Sequence, residues 1–502
     1  MERWLNPLYD ADGMRAVDRW AIEEIGTPSL ELMEAAGRAV AESVGELAPD
    51  GPVRVVCGKG NNAGDGLVAA RYLAEAGFEV EALLLWPAAE LSGDAAANFE
   101  RCRAEHVDGD LGLRLAGSAA VVDAIFGTGF AGEPREPARA AIAAIEACGA
   151  PVVACDIASG VDASSGEVEG AAVEADLTVC FHAAKVGHRV APGKWHSGEL
   201  RVAPIGIPDG APAEPAAGTI EVLVLELAPR RGSRSTKFSS GQVTVAGGSR
   251  GLTGAVQMSS RAAIRAGAGY ATVAVPADLE PIFEQGQPEV MSVGCPGGDG
   301  CLAPASAKSL LRAFERAAAG VLGPGMGCDP GSVELARDVL GAIEAPLVLD
   351  ADGLNAFAGE LGRIAARQAP TVLTPHAGEL GRLLGRASEE ISEHRLAAAC
   401  EAARAAGAVV VLKGDDTIVT DGERVAVNAL SAPALATAGT GDVLSGIVAA
   451  LLARGLEPFA AACAAVLAHA RAGRDAAVRI GAAESVIATD VIDSIAVGLK
   501  AP

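Results

Sequence analysis

Gly439-Thr440-Gly441-Asp442 puts a carboxylate directly behind a glycine-rich turn. Apolar residues follow at Val443, Leu444, Ile447, Val448, Leu451 and Leu452. That spacing is helical, so the turn sits at a helix N-terminus. Backbone N–H groups at such a place hold anions. A carboxylate beside a bound phosphate can take the proton of an attacking hydroxyl. The same turn also fits a plain helix cap by Thr440 or Asp442, and on the motif alone the two readings weigh evenly. Four more segments add polar or glycine-rich strand ends. They are GGSRGLTGA, which ends at Ala255, VLGPGMG around Gly325, LTPHAGEL with His376 and Glu379, and Lys413-Gly414-Asp415-Asp416-Thr417, a loop suited to a nucleotide.

The first half carries its chemistry in the same way. VRVVCG runs into GKGNNAGDG, where glycines let N–H groups approach a phosphate at the start of a helix. Tight strand-to-helix packing explains such glycines equally well. Asn61, Asn62 and Asp65 shift the balance, because their oxygens suit a hard cation or a ribose. A further strand ends at Asp123 and leads to Phe126-Gly127-Thr128-Gly129-Phe130. Another ends at Asp156 and leads to Ser159, and a later one precedes His182 and Lys185. One polar strand end is ordinarily structural. Three on one rim favour a site.

What must position these groups is an alternation of short β-branched runs with Ala-rich amphipathic segments. PVRVVCG, EVEALLLW, AAVVDAIFG, PVVACDI and ADLTVCF lie in the first half; GQVTVAGG, GYATVAV, AGVLGPG, APLVLDADG, PTVLTPH and AVVVLKG lie in the second. The alternation predicts two α/β domains with mostly parallel sheets, whose ligands sit at the carboxyl ends of the strands. The Pro-, Ala- and Gly-rich stretch from Pro204 to Pro229 is the linker, and the predicted domains are 1–215 and 222–502.

Composition excludes several classes. The 502 residues carry a formal charge of −24 and 3% aromatics, which argues against nucleic acid as a partner. Mean hydropathy is +0.29, ample for large cores, yet no apolar run is long enough to span a membrane. MERWLNPLYD lacks the features of a secretory signal. Ten scattered cysteines form no Cys-x-x-Cys pair, and there are 7 histidines. Reduced thiols in a cytoplasmic protein are expected, rather than a zinc site or disulfides.

LMEAAG, GKGNNAGDG, VVDAIFGTG, DIASGVDASSG and AAKVGH, in that order, resemble the NAD(P)H-hydrate epimerase family. The resemblance implies a Rossmann-like parallel-sheet sandwich that binds the damaged dinucleotide. The binding residues it implies are Asn61, Asn62, Ala63, Gly64 and Asp65, then Gly127, Thr128, Gly129, Phe130, Ala131, Gly132 and Glu133, and finally Asp156. It also implies potassium at Asn62, Asp123 and Ser159, all oxygen donors, and Asp156 as the proton-handling group. Ala35 stands where that family usually has asparagine.

The second half resembles the ribokinase-like, ADP/ATP-dependent NAD(P)H-hydrate dehydratases. By that resemblance Ala255, Gly325, His376 and Asp442 contact the hydrated dinucleotide. Lys413, Gly414, Asp415, Asp416, Thr417 and Gly441 hold ADP or ATP, with Mg2+ on its phosphates. Gly439, Thr440 and Gly441 form an anion hole, and Asp442 is the catalytic base. The helix dipole should keep Asp442 ionised and therefore a weak base. Ser235-Thr236-Lys237 stands where relatives have a His-Lys pair. A homo-oligomer is implied. The repair chemistry expected is epimer exchange of hydrated NADH and NADPH, then nucleotide-driven dehydration of the S epimer. Two rivals stay open: a small-molecule kinase with an accessory domain, and a noncatalytic binding module in the first half.

Overall fold

A computed structural model describes residues 1–102, 104–107 and 110–502. The chain divides into two compact units. One is Pro7–Gly218; the other is Thr219–Pro502 together with Glu2–Asn6.

The first unit is built on seven strands in the order Ala104–His106, Val80–Leu84, Val53–Cys57, Ala120–Ala124, Val152–Cys155, Leu177–Phe181, Glu199–Ala203. Every pairing is parallel. The central strands are buried at nearly every position because both faces are covered. Val55, Cys57 and Val122 join Leu32, Ala36, Val40 and Leu67 in one core, while Val56 and Val121 join Ile142 and Ile145 in the other. Helices Ser29–Leu47 and Asn61–Glu75 cover the first face; Ala138–Cys148 covers the second. The strand order reverses between Val53–Cys57 and Ala120–Ala124, so the crevice beyond their carboxyl ends is where this architecture binds ligands.

The second unit has an eleven-stranded sheet. From Val409–Leu412 through Thr371–Leu373, Leu347–Leu349, Ala319–Leu322, Gln242–Ala246 and Tyr270–Pro276 to Val290–Cys295 the pairing is parallel. Ile418–Thr420 and Val425–Val427 add antiparallel pairs, and Leu5–Leu8 closes that edge beside Ala217–Ile220. The helix Thr440–Ala453 lies against Thr253–Arg265 so closely that a Cβ on Gly446 would come within 2.1 Å of the Ser259 carbonyl oxygen. That contact fixes the height at which the Gly439–Asp442 turn meets the strand ends. Among the described residues, no helix is long and apolar enough to cross a membrane.

Candidate active sites

In the first unit, the strand ends surround a cavity of about 670 Å³. Asn61, Asn62, Asp65, Gly127, Thr128, Gly129, Phe130, Ala131 and Asp156 line it. Ala63 and Gly64 lie buried beneath the lining, and Glu133 is turned against Gly170. The glycines of the Asn61 loop divide by purpose. A Cβ on Gly64 would meet Met33 at 2.6 Å and one on Gly66 would meet Ala124 at 2.5 Å, whereas Gly60 faces open space. Two of these glycines therefore serve helix packing.

Asp156 sits at a left-handed backbone position, φ 68°, which an aspartate tolerates better than most residues. That twist turns its carboxylate onto Lys185, Thr128 and the Phe181 N–H, which donates at 3.5 Å. Lys185 Nζ donates to one oxygen at 2.5 Å, while Thr128 N donates to the other at 3.2 Å and Thr128 Oγ1 donates to the same oxygen. Burial alone would raise the Asp156 pKa; Lys185 and Thr128 outweigh it and hold the carboxyl below its ordinary range. Lys185 is 1% exposed and also donates to the Phe181 carbonyl at 3.1 Å. His188 Nδ1 accepts from Lys185 N at 3.0 Å, so Nε2 carries the proton and donates to the Asp156 carbonyl at 2.9 Å. Burial, then Lys185, pushes the His188 pKa down to about 3 and keeps the ring neutral.

A second network joins Asn62, Asp123 and Ser159. Ser159 N and Oγ donate to Asp123 at 2.8 and 2.6 Å, Phe126 N donates to Ser159 Oγ at 2.9 Å, and Asn62 Nδ2 donates to the Phe126 carbonyl at 2.9 Å. The Asn62 Oδ1 atom is buried and has no hydrogen-bond partner among the described residues. Burial raises the Asp123 pKa to about 6 against the hydrogen bonds from Ser159. At the mouth, Phe126 and Phe130 stack at 4.5 Å, with Trp86 tilted against Phe126 at 6.4 Å.

In the second unit, helix Thr440–Ala453 starts from Gly439, whose φ of 89° leaves the turn's N–H groups unobstructed. No side chain caps this helix. Thr440 Oγ1 donates backward to the carbonyls of Leu435 and Thr437, at 2.8 and 2.9 Å. Asp442 is thus not spent as a cap, which removes the competing reading of the motif. The expected charge state of Asp442 is corrected: burial, then Asp350, raises its pKa to about 7 against the pull of Lys413. Desolvation and a like charge outweigh the helix dipole, and the result is a carboxyl that titrates near neutral pH.

Lys413 Nζ lies 3.3 Å from Asp350 and 3.6 Å from Glu379, and a Cβ on Gly441 would lie 3.4 Å from it. Burial would lower the Lys413 pKa; Asp350 and Glu379 outweigh it and raise it. Its ammonium therefore stands beside the turn, where it can face a phosphoryl group. Behind it opens a slot of about 290 Å³, with Lys413, Gly414, Asp415, Thr417, Thr440 and Gly441 at its polar end and Leu430, Pro433, Leu435, Leu444 and Val466 along its walls. Asp416 does not line the slot: it is buried and paired with Arg395 at 2.8 Å. On the other side of the turn, Gly325 and Ala255 are neighbours, 3.1 Å apart for a Cβ placed on the glycine, and Gly439 adjoins Met258. His376 caps helix Ala377–Leu384 through Nδ1, which accepts from Gly378 N at 3.0 Å, while Nε2 lies 3.6 Å from Glu379 Oε1. Glu379 Oε2 returns the contact by accepting from His376 N at 2.8 Å.

Residues 29–187 match the family described as YjeF-related protein N-terminus, and residues 243–496 match NAD(P)H-hydrate dehydratase. The bifunctional NAD(P)H-hydrate repair enzyme of Salinibacter ruber is 40% identical, covering 97% of this chain and 95% of its own. That of Moorella thermoacetica is 38% identical with the same coverages. The chain belongs to the bifunctional NAD(P)H-hydrate repair enzyme family. A solved ADP/ATP-dependent NAD(P)H-hydrate dehydratase from Bacillus subtilis, co-crystallised with ATP and magnesium, is 27% identical, covering 55% of this chain and 94% of its own with a TM-score of 0.47.

Several groups in these family sites escaped the sequence reading. Asp18, on helix Ala11–Glu23, lines the first cavity. Asp350 and Asp352 follow strand Leu347–Leu349 in LVLDADG, the same strand-end position that marked Asp123 and Asp156. Asn428 and His469 line the slot, both largely buried, with Asn428 Oδ1 and His469 Nε2 unpartnered.

Proposed function

We propose that this chain repairs hydrated NADH and NADPH in two steps. The first unit exchanges the R and S epimers; the second dehydrates the S epimer at the expense of ADP or ATP, releasing AMP or ADP and phosphate. The observation that carries this is Asp442: an uncapping carboxylate near neutrality, flanked by an N–H turn and Lys413, at the mouth of a nucleotide-sized slot.

The chemistry follows from the substrate. Hydration puts a hydroxyl on the carbon next to the ring nitrogen, and hydroxide leaves poorly. Asp442 takes the hydroxyl proton as the oxygen attacks the terminal phosphorus of the nucleotide. Gly439, Thr440 and Gly441 N–H groups, with Lys413, hold the charge of the moving phosphoryl group. The carbon–oxygen bond then breaks with its electron pair on phosphate, a ring proton is lost, and the reduced nicotinamide returns. Ala255, Gly325 and His376 would seat the dinucleotide on the far side of the turn. Lys413–Asp415, Thr417 and Gly441 would seat the nucleotide, with Asp416 bracing the loop through Arg395.

Among the described residues, no three His, Cys, Asp or Glu groups are clustered to hold a metal. Magnesium fits here as a partner of the nucleotide, which needs only one or two protein carboxylates, and Asp350 and Glu379, beside Lys413, would be the donors. It supplies charge neutralisation on the phosphates. Potassium fits the first unit, where the orphaned Asn62 Oδ1 adds an oxygen to those of Asp123 and Ser159. A cytoplasmic setting agrees with ten free cysteines, and a homo-oligomer remains part of the proposal.

Purified protein given the S epimer and ADP should release one phosphate per reduced nicotinamide formed. A stable phosphorylated product, with no nicotinamide recovered, would instead mark an ordinary kinase.

A further inference from the structure

Epimer exchange inverts a carbon that bears a hydroxyl, so oxygen leaves one face of the ring and enters the other. One side chain cannot serve both faces. The reaction needs one group that gives a proton to the departing oxygen and a second that takes one from the arriving water. Asp156 suits the second task, because Lys185 holds it ionised. Nothing yet described performs the first.

Helix Ala11–Glu23 forms a separate wall of the cavity, with Met14, Asp18 and Ile22 along one face at helical spacing. Its start is pinned beside the Lys185 segment: Tyr9 N donates to the Ala184 carbonyl at 3.1 Å and Val186 N donates to that of Tyr9 at 3.0 Å. Among the described residues the Asp18 carboxylate makes no hydrogen bond or ion pair at contact distance, although Arg15 on the same helix is at hand and pairs with Asp12 instead. Asp65 lines the same cavity, is 9% exposed, and likewise has no side-chain partner there. Two carboxyl groups from separate helices thus face a cavity with no side-chain partner among the described residues. A polar ligand entering the cavity would meet both.

We propose that Asp18 is the first proton carrier of epimer exchange, acting on one face of the hydrated ring while Asp156 acts on the other. This rests on the epimerase reading of the first unit. Protonated Asp18 gives its proton to the ring hydroxyl as the carbon–oxygen bond breaks. That bond's electron pair leaves with the oxygen as water, and the lone pair of the ring nitrogen forms a carbon–nitrogen double bond. Water attacks the opposite face, the double-bond pair returns to nitrogen, and Asp156 accepts the surplus proton. One water leaves, one enters, and a proton has passed from Asp18 to Asp156. The reverse exchange starts from that charge state, and cavity water resets it.

The charged surroundings agree with this division. Burial raises the Asp18 pKa to about 6; Lys185 lowers it and Asp156 raises it. Asp65 is also raised well above its ordinary range, by burial and then by Asp156 and Asp18, with Lys185 opposing and Asp94 adding to it. Paired environments that push two carboxyl groups apart are how one site holds an acid and a base together.

The test starts from a single purified epimer without nucleotide, read by chromatography of the two epimers. Wild-type exchange should fall as pH rises past about 6, where Asp18 loses its proton. Asp18→Asn should lower exchange by roughly two to four powers of ten and abolish that limb, while Asp18→Glu restores part of both. In heavy-oxygen water the exchanged hydroxyl should carry solvent oxygen. Exchange by Asp18→Asn within a few-fold of wild type overturns the proposal, as does a wild-type rate flat through the limb. Retention of the original oxygen overturns it too. Absence of any exchange by wild type would sink the epimerase reading itself, a separate result.

Discussion

Replacing Lys185 with methionine keeps length and apolar stem but removes the cation from a buried pair. Lys185 is 1% exposed, its Nζ is 2.5 Å from Asp156 Oδ1, and Asp156 is itself 8% exposed. Leaving one charge of such a pair unpartnered costs about 3–5 kcal/mol. At about 1.4 kcal/mol per factor of ten, exchange of the amide hydrogens of strands Val152–Cys155 and Leu177–Phe181 should accelerate by roughly two to three and a half powers of ten. Hydrogen exchange read by mass spectrometry measures this locally. The Asp156 pKa is depressed in the folded protein, so its contribution is present above the unfolded value of 3.8 and is lost as pH falls through the folded one. The Lys185 pKa is raised, so its contribution is present below 10.5 and is lost as pH rises through the folded value. The difference between variant and wild type should therefore be widest at neutral pH and close in acid, where burial without Lys185 lets Asp156 take up a proton. Lys185→Met combined with Asp156→Asn should recover most of the loss. A single variant that exchanges its amides within tenfold of wild type at neutral pH would refute the reasoning, as would an equal deficit in acid.

Three further outcomes are expected. Asp156→Asn should slow epimer exchange by roughly a hundredfold or more while dehydration of pure S epimer continues; equal loss of both activities would point to misfolding. Asp442→Asn should leave nucleotide affinity and melting temperature near normal, since no cap is lost, and lower dehydration by roughly two or more powers of ten; wild-type dehydration should rise with pH through about 7 as Asp442 ionises. Potassium, compared with a bulky organic cation at equal ionic strength, should raise the melting temperature of the wild type but not of Asn62→Leu, and no difference between the two salts would remove the ion from the account.

The strand-end rule made much of this legible. Asn62, Asp123 and Ser159 each follow a short β-branched run, and the fold links them through hydrogen bonds. The turn at Gly439 announced itself by glycine and by helical spacing behind it. What was hidden is set by long-range packing. Lys185 meets Asp156 across 29 positions, and Asp18 comes from a helix whose own periodicity reports only its buried face of Met14, Val17 and Ala21. Asp350 stands at a strand end too, in APLVLDADG, but its approach to Lys413 at 3.3 Å is made only by the fold. The charge state of Asp442 was misjudged because the helix dipole is local and visible in sequence, whereas burial and the approach of Asp350 are not. The strand Leu5–Leu8 is four residues with a proline, too short to signal that it completes the sheet of the second unit.

The account stands or falls on sequential repair by one chain. Purified protein should be given the R epimer alone, with and without ADP, while the absorbance of reduced nicotinamide is followed. Full recovery is predicted with ADP and none without it, and Asp156→Asn should fail on this epimer while still repairing the S form. Recovery from R that survives Asp156→Asn unchanged, or proceeds without nucleotide, would contradict the two-step account.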